Sequence, residues 1–513
     1  MLEQDARREL VAAELGAGVS VSVPGRSLGR GLGFVNQIVL ARLLGVQVFG
    51  LYSIGWSLLR ALALLAPVGM DAAVLRYGSA HWPEDRGRIR TILKQTLWVG
   101  AVSSIVVGAI VFLASDWLAQ SVFHKDALGP IFRYLGATIP LAVALRILAS
   151  STSVTRRLHY LVLAEEIAQP VLQLACFMIL FLAQVPRIDA AMVAVLLSIL
   201  LAAGAAGGFA SKLFGSVPGA PPSFAEPLGS LLSFSVPVAL GGFLGSFLLW
   251  ADRLLVGALG TESDAGIYAI VSLVSVVFAT LLSGFKSSLA PMAAALHASG
   301  NMEQLADAFR LSTRWSQYLS IPVFVFIVSS GRELLVWGLG PEYQAGFVPM
   351  LILSVGQLVN ASTGPADTLL VMGGYPRRWT MLAGLGLTGL VVLGLMWIPR
   401  WGLVGAALAS AVTVVLVSIG SLVAVIRRMR INPYDARTLR VAAAGVLTLG
   451  VSLALGRVSM PWGLLHVLLT GLVSAGLFLG LLVLGGLPPE DVTAVKGLLT
   501  RWEARLAEFC RTK

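Results

Sequence analysis

Between Gly25 and Tyr77 the chain reads GRSLGRGLGFVNQIVLARLLGVQVFGLYSIGWSLLRALALLAPVGMDAAVLRY, two apolar runs of membrane-crossing length joined by a short glycine-containing turn. In hydrocarbon every backbone polar group must be satisfied within its own segment, so such runs have to be helices. Both runs also carry polar side chains at depths where lipid makes them costly. On a helix, Arg26, Arg30, Gly33 and Gln37 share one face of the first run, and Arg60, Pro67 and Asp71 share one face of the second. An ionisable group inside a span faces the protein interior or water, so the aligned stripes predict an aqueous, partly cationic lumen between helices.

Composition agrees. With 57% apolar residues, 12% charged residues and a mean hydropathy of +0.85, the bilayer is the natural solvent for the chain. The formal net charge of +11 does not indicate nucleic acid, because the Lys and Arg residues sit at the ends of apolar spans and are not interleaved with aromatics on one face. Cys176 and Cys510 give no disulfide framework, and the five histidines have no metal-ligand spacing. Residues 1–18 are charged and lack an apolar core, so no cleavable leader is expected.

The chain predicts an all-α, polytopic integral membrane protein of about fourteen transmembrane helices, each of roughly 20 residues. The expected spans are 19–43, 49–79, 91–115, 130–152, 159–183, 188–211, 228–258, 263–289, 310–339, 346–372, 378–398, 402–426, 438–456 and 461–486. Turns on one side are rich in Arg and Lys: Arg86, Arg88, Arg90 and Lys94, then Arg156 and Arg157, Lys212, Arg377 and Arg378, and Arg427, Arg428, Arg430, Arg437 and Arg440. The other side has only scattered basics such as Lys125, Arg187, Arg332, Arg400 and Arg457. The positive-inside rule then places both termini in the cytoplasm, on the cytoplasmic membrane.

A Pro- and Gly-rich break, 212–227, divides the chain into an N-terminal lobe (1–211) and a C-terminal lobe (228–427). Two further spans occupy 428–487, and an amphipathic tail helix lies within 488–513. Leu44, Gly45, Gly50, Leu51 and Tyr52 are echoed by Leu259, Gly260, Gly266, Ile267 and Tyr268. Each set falls at the turn between the first two spans of its half, which predicts a parallel repeat of six spans.

The runs LGRGLGFVNQIVLARLLG, FGLY and LLRALALLAPVGMDAAVLRY resemble the opening helix pair of the polysaccharide (Wzx-type) flippases of the MOP superfamily and, more distantly, of the lipid II flippase MurJ. LLWADRLLVGALGTESDAGIYAI, LGPEYQAGFVPMLIL and WIPRWGLVGAALAS resemble later motifs of the same families, in the same order. The resemblance implies a V-shaped bundle of two six-helix lobes with two added helices. It also implies movement of undecaprenyl-pyrophosphate-linked glycans between leaflets. Where MurJ-like proteins have an Arg-Asp pair after the GFV, this chain has Asn36 and Gln37, which speaks against lipid II itself.

The candidate substrate-binding residues are Arg30, Asn36, Gln37, Arg60 and Asp71, because arginine suits a pyrophosphate in charge and in geometry. Glu165, Glu166 and Gln173, with Gln169, form a polar stripe that would bind a coupling proton or sodium ion, or else pair with Arg156 and Arg157 at the interface. The stripe Gln357, Asn360, Gly364 and Asp367 reads as interhelical hydrogen bonding, Asp252 and Arg253 as a snorkelling pair or a gate, and Arg42, Arg76 and Lys286 as interface anchors. There is no GxxxxGK-S/T phosphate loop and no catalytic constellation in the short outer loops, so neither enzymatic chemistry nor a cofactor is expected. A drug or cation antiporter of the same superfamily and a membrane glycosyltransferase or polymerase are the alternatives to a flippase.

Overall fold

In the computed structural model, which describes residue 25 and residues 28–155, 159–215, 226–248, 250–456 and 463–485, the regular elements among the described residues are all helical. The expected tail helix, most of the 212–227 break, Arg26, Arg156, Arg157 and Arg457 lie outside them. The main helices are α1 (28–44), α2 (Val46–Leu65), α3 (Met70–Ser79), α4 (Arg86–Leu113), α5 (Leu128–Thr152), α6 (Gln169–Leu182), α7 (Arg187–Phe214), α8 (Leu228–Phe247) and α9 (Ala251–Leu259). There follow α10 (Glu262–Val271), α11 (Leu273–Ala298), α12 (Met302–Leu339), α13 (Phe347–Ser362), α14 (Ala366–Met372), α15 (Pro376–Met429), α16 (Ala436–Gly456) and α17 (Gly463–Leu484). Among the described residues ten helices are long and apolar enough to cross a membrane, where fourteen spans are expected over the whole chain. α16 and α17, of 21 and 22 residues, overlap the last two expected spans, and α15 runs across two expected spans, 378–398 and 402–426.

Several expected spans are broken, and the breaks sit at Pro and Gly. The span expected at 49–79 stops at Leu65, because Pro67 has no N–H for the next turn and its ring crowds the preceding one. Val68 and Gly69 then take left-handed backbone at φ 52 and 74. The loosened Ala66 carbonyl accepts a hydrogen bond from Ser103 Oγ at 2.6 Å. In α15 the non-helical residue is Gly402, at φ 56 and ψ −130, which divides the run into two rods close to the expected boundary. Between α13 and α14 the break includes Gly364 at φ 66 and Pro365.

The chain divides into two compact units. The first comprises Met1–Thr280, Gly338–Leu353 and Arg377–Val417; the second comprises Leu281–Trp337, Ser354–Pro376 and Ser418–Lys513. In the first unit α2 crosses α10 at a reciprocal contact. A Cβ added at Gly50 would collide with the Glu262 carbonyl, and one added at Gly266 would collide with the Val46 carbonyl. Each glycine therefore lets the other helix's backbone close in, the device by which helices gain dispersion contact where lipid supplies no hydrophobic drive. The pairing is symmetric in sequence as well as in space: 266 − 50 = 216 and 262 − 46 = 216. The N-caps of the two helices, Gly45 and Thr261, obey the same offset, so Gly45 corresponds to Thr261 and the second turn holds one extra residue at Gly260. Thr261 and Asp264 close a capping box over α10, which the local sequence T-x-x-D signals.

Two polar clasps complete the first unit. Lys125 Nζ donates to the Gly257 and Gly260 carbonyls, both at 2.8 Å, and so caps the carboxyl end of α9. Burial lowers the Lys125 pKa, with Glu262 and Asp264 acting in opposition. At another turn Arg88 Nη2 donates to Glu226 Oε1 at 2.6 Å, while the Gln95 amide exchanges hydrogen bonds with the Glu226 backbone. The glycine crossing gives a direct test. Gly50→Ala is expected to lower the melting temperature of the detergent-purified protein by the equivalent of about 1–3 kcal/mol. Gly204→Ala, where an added Cβ meets nothing within 4 Å, is expected to leave it unchanged.

Candidate functional site

The polar stripes of the first two spans meet in the first unit. Arg60 stands 60 − 46 = 14 residues into α2, about 21 Å along the axis at 1.5 Å per residue. It is exposed, its guanidinium lies 4.5 Å from the centroid of the Trp56 ring, and among the described residues no carboxylate forms an ion pair with it. A cavity of about 60 Å³ opens beside it, lined among others by Arg146, Glu165, Gln169 and Ile199. The charges acting most strongly on Arg60 are those of Glu165 and Glu166, with Arg146 opposing. The lumen expected to be partly cationic has two arginines and an acid on the wall of one small cavity.

Asp71 does not stand alone. Arg146 Nε on α5 donates to Asp71 Oδ2 on α3 at 2.7 Å. Sequence reasoning missed Arg146, although an arginine in the run LAVALRILAS is the sort of intramembrane charge that marks a site.

Glu165 and Glu166 owe their places to a proline. Pro170 carries no N–H and its ring clashes with the carbonyl four residues back, which is that of Glu166. The backbone responds with a π-helical segment, Val162–Ala168, in place of an α-turn. The Glu166 carbonyl faces Gly29 of α1, where any Cβ would collide with it. Of the two acids, Glu165 lines the cavity with Gln169. Glu166, which stands at i, i+3 and i+7 with Gln169 and Gln173 on a regular α-helix, is not among the cavity-lining residues.

Gln173 points elsewhere. Its Nε2 donates to the fully buried Tyr52 hydroxyl at 2.7 Å, and Gln37 also hydrogen-bonds that hydroxyl. The structure thus brings Gln37 and Gln173 together around Tyr52. Asn36 is buried nearby in sequence, and its Oδ1 has no hydrogen-bond partner. Arg30 is exposed on α1.

A second cluster is built around Tyr268, 216 residues after Tyr52. Tyr268 Oη and Ser410 Oγ donate to Asp252 Oδ2 at 2.9 and 3.1 Å, and Arg253 lies 4.6 Å from the Trp250 ring centroid. Asp252 and Arg253 are 5% and 8% exposed, which corrects the expectation that they snorkel to the interface. The tyrosines keep the offset, 268 − 52 = 216, and before the extra residue of the second turn it falls by one: Gln37, on the Tyr52 hydroxyl, and Asp252, on the Tyr268 hydroxyl, are 252 − 37 = 215 apart. A tyrosine-centred network recurs, neutral in the first half and charged in the second.

In the second unit, Lys286 Nζ donates to Asp367 Oδ2 at 2.6 Å, a partner that its reading as an interface anchor does not include. Within α13 Asn360 Nδ2 donates to Gln357 Oε1 at 3.3 Å, and the interhelical bond expected of that stripe is the one Asn360 Oδ1 accepts from Ser418 Oγ of α15 at 2.8 Å. Among the described residues no cluster of three or more His, Cys, Asp or Glu could hold a metal ion.

The polysaccharide biosynthesis protein family matches residues 15–297, more than half of the chain. The chain belongs to that family. Its helices and its buried intramembrane charges are those of a multi-pass membrane protein. Two curated relatives come from Haloferax volcanii: "Probable low-salt glycan biosynthesis flippase Agl15", 25% identical over 197 residues, and "Probable flippase AglR", 25% identical over 179. A third is "Probable multidrug resistance protein NorM" of Burkholderia pseudomallei, 27% identical over 213 residues. The matched segments cover 37%, 34% and 39% of this chain and only 40%, 37% and 44% of those relatives.

Solved structures share the fold. The lipid II flippase MurJ in its inward closed conformation superposes with a TM-score of 0.68 at 10% identity, over 88% of this chain and 96% of MurJ. An inward-facing MATE multidrug transporter of the MOP superfamily also reaches 0.68, at 14% identity, over 78% and 94%.

The Asp71–Arg146 pair is open to a double-mutant cycle. Asp71→Ala and Arg146→Ala are each expected to destabilise the protein, the double variant to lose less than their sum, and the coupling read from thermal unfolding to be about 1–3 kcal/mol.

Proposed function

We propose that this chain is a flippase that carries polyprenyl-pyrophosphate-linked oligosaccharides, the repeat units of a polysaccharide, across the cytoplasmic membrane by alternating access. The observation that carries the reading is Arg60: an exposed guanidinium well inside a membrane-length helix, with no carboxylate in ion-pair contact among the described residues. A cation at that depth needs an anion to meet, and a pyrophosphate offers charge together with paired acceptors. Membership of the polysaccharide biosynthesis family and the likeness to Agl15 and AglR support the same substrate class. In this reading the glycan headgroup enters the lumen beside α1 and α2, and Arg30, Asn36 and Gln37 add contacts. The chain acts as a transporter and not as an enzyme.

Both termini lie in the cytoplasm in this proposal, and the lobes 1–211 and 228–427 form a parallel six-span repeat. The offset of 216 residues at the glycine crossing and in the tyrosine-centred networks supports the duplication. Coupling to a proton or sodium ion is assigned to Glu165, because that acid lines the cavity next to Arg60.

One observation favours a second reading. An acid in the same cavity suits a cationic cargo, and the likeness to NorM points the same way. A cation antiporter would use Glu165 for cargo and Arg60 for positioning.

Reconstituted liposomes separate the two. With a polyprenyl-pyrophosphate glycan as cargo, Arg60→Ala is expected to abolish flipping and Arg60→Lys to restore it in part, since lysine matches the charge but not the paired geometry. Full activity in Arg60→Ala, with efflux of a cationic dye lost in Glu165→Gln, would establish the antiporter instead. For coupling, Glu165→Gln is expected to remove the dependence of flipping on an imposed ion gradient while Glu166→Gln retains it. The reverse result would return the role to Glu166.

A further inference from the structure

The basic run Arg427 to Arg440 has so far served only to orient the chain, yet the second unit builds a cavity at its edge. This cavity, of about 620 Å³, is lined by Arg310 and Arg314 of α12 and by Tyr434, Asp435 and Arg437 at the start of α16. Its size lies within the range of pockets that hold small ligands.

The lining is unusual in how its charges are held. Arg314 has a side chain only 3% exposed, although it borders the cavity. Asp435 lies 3.8 Å from it, beyond hydrogen-bond reach, and accepts instead from the Thr438 N–H and Oγ1 at 2.8 and 2.9 Å. Burial raises the Asp435 pKa, but the two Thr438 hydrogen bonds and the charges of Arg314 and Arg437 outweigh it and hold the carboxyl below its usual range. Asp435 is therefore a helix cap first and a counter-ion second. Arg310 donates from Nε to the Asn432 carbonyl at 3.2 Å and from Nη1 to Asp307 at 3.0 Å, and Asp307 is 67% exposed. Its Nη2 makes no hydrogen bond among the described residues. Three arginines thus face two aspartates, one turned to the cap and one well solvated, beside the positive end of the α16 dipole.

We propose that this cavity binds a phosphate-bearing anion, with Arg310 as the fork that grips it and Arg314 and Arg437 as the flanking charges. Guanidinium groups held in place by their own hydrogen bonds present a planar, charged edge that suits phosphate oxygens. The site lies wholly in the second unit, shares no residue with the Arg60 cavity, and does not depend on what is flipped. Two sources offer this chemistry: the headgroup of an anionic phospholipid in the leaflet bordering the basic turns, or a soluble phosphate ester.

The test titrates the full-length protein in detergent with phosphatidylglycerol, phosphatidylcholine and glycerol phosphate and follows the melting temperature. Phosphatidylglycerol is expected to raise it and phosphatidylcholine is not. Combining Arg310→Ala with Arg437→Ala should weaken the response roughly tenfold or more. Combining Arg427→Ala with Arg428→Ala removes the same charge from the exposed end of α15, outside the cavity, and should leave the response intact. A response to glycerol phosphate equal to that of the lipid would support the site and assign it to a soluble ester. The proposal is overturned if phosphatidylcholine acts like phosphatidylglycerol, if the pocket variant responds as the wild type does, or if the Arg427 and Arg428 variant loses as much as the pocket variant.

Discussion

Hydrocarbon neither donates nor accepts a hydrogen bond, and each departure from regular helix in this chain has to find its partner inside the protein. Pro67 loosens the Ala66 carbonyl, and Ser103 reaches across from α4 to take it. Pro170 displaces the Glu166 carbonyl, and α1 arrives with a glycine where the contact is made. The same demand governs side chains. Asp71 is held by Arg146, Asp367 by Lys286, and Asp252 by a tyrosine and a serine. Against that background of satisfied charge, Arg60 stands out.

The offset of 216 residues ties packing to chemistry. At Gly50 and Gly266 it describes a crossing in which two helices use the same residue against the same backbone atom of the other. At Tyr52 and Tyr268 it describes two networks with one architecture and different charge, amides around the first tyrosine and a carboxylate with an arginine around the second. Two helices that cross at matched glycines can keep their packing while the polar groups around their tyrosines differ, because the glycines fix the approach of the helices without touching the networks.

Much of this was legible in the sequence, and the limits have physical causes. The all-helical membrane fold follows from the apolar runs, and the amide stripe at Gln357 and Asn360 follows from helical spacing. The Gly-Leu-Tyr of α2 and the Gly-Ile-Tyr of α10 carry the two glycines at which these helices cross. Spacing at 3.6 residues per turn does not follow the chain through Val162–Ala168, where the turn is wider, so it does not distinguish Glu165, which lines the cavity, from Glu166. Arg146 was passed over because its partner comes from a different hairpin, and local periodicity carries no information about such a pairing. The depth of Asp252 and Arg253 was misjudged for a related reason: the serine and tyrosine that make burial tolerable lie 158 and 16 residues away.

The wide turn at Val162–Ala168 has a consequence for chain length. A π-turn stores one residue more than an α-turn between the same two ends, so the segment is a built-in surplus. Loss of a single residue there would heal the helix into regular α-form without moving its flanks, and it would rotate Glu165 off the cavity wall. Within one fold, then, a cavity acid can be gained or lost through an insertion or deletion that leaves the bundle intact, and relatives of nearly identical length can differ in the sign of charge that their lumens present.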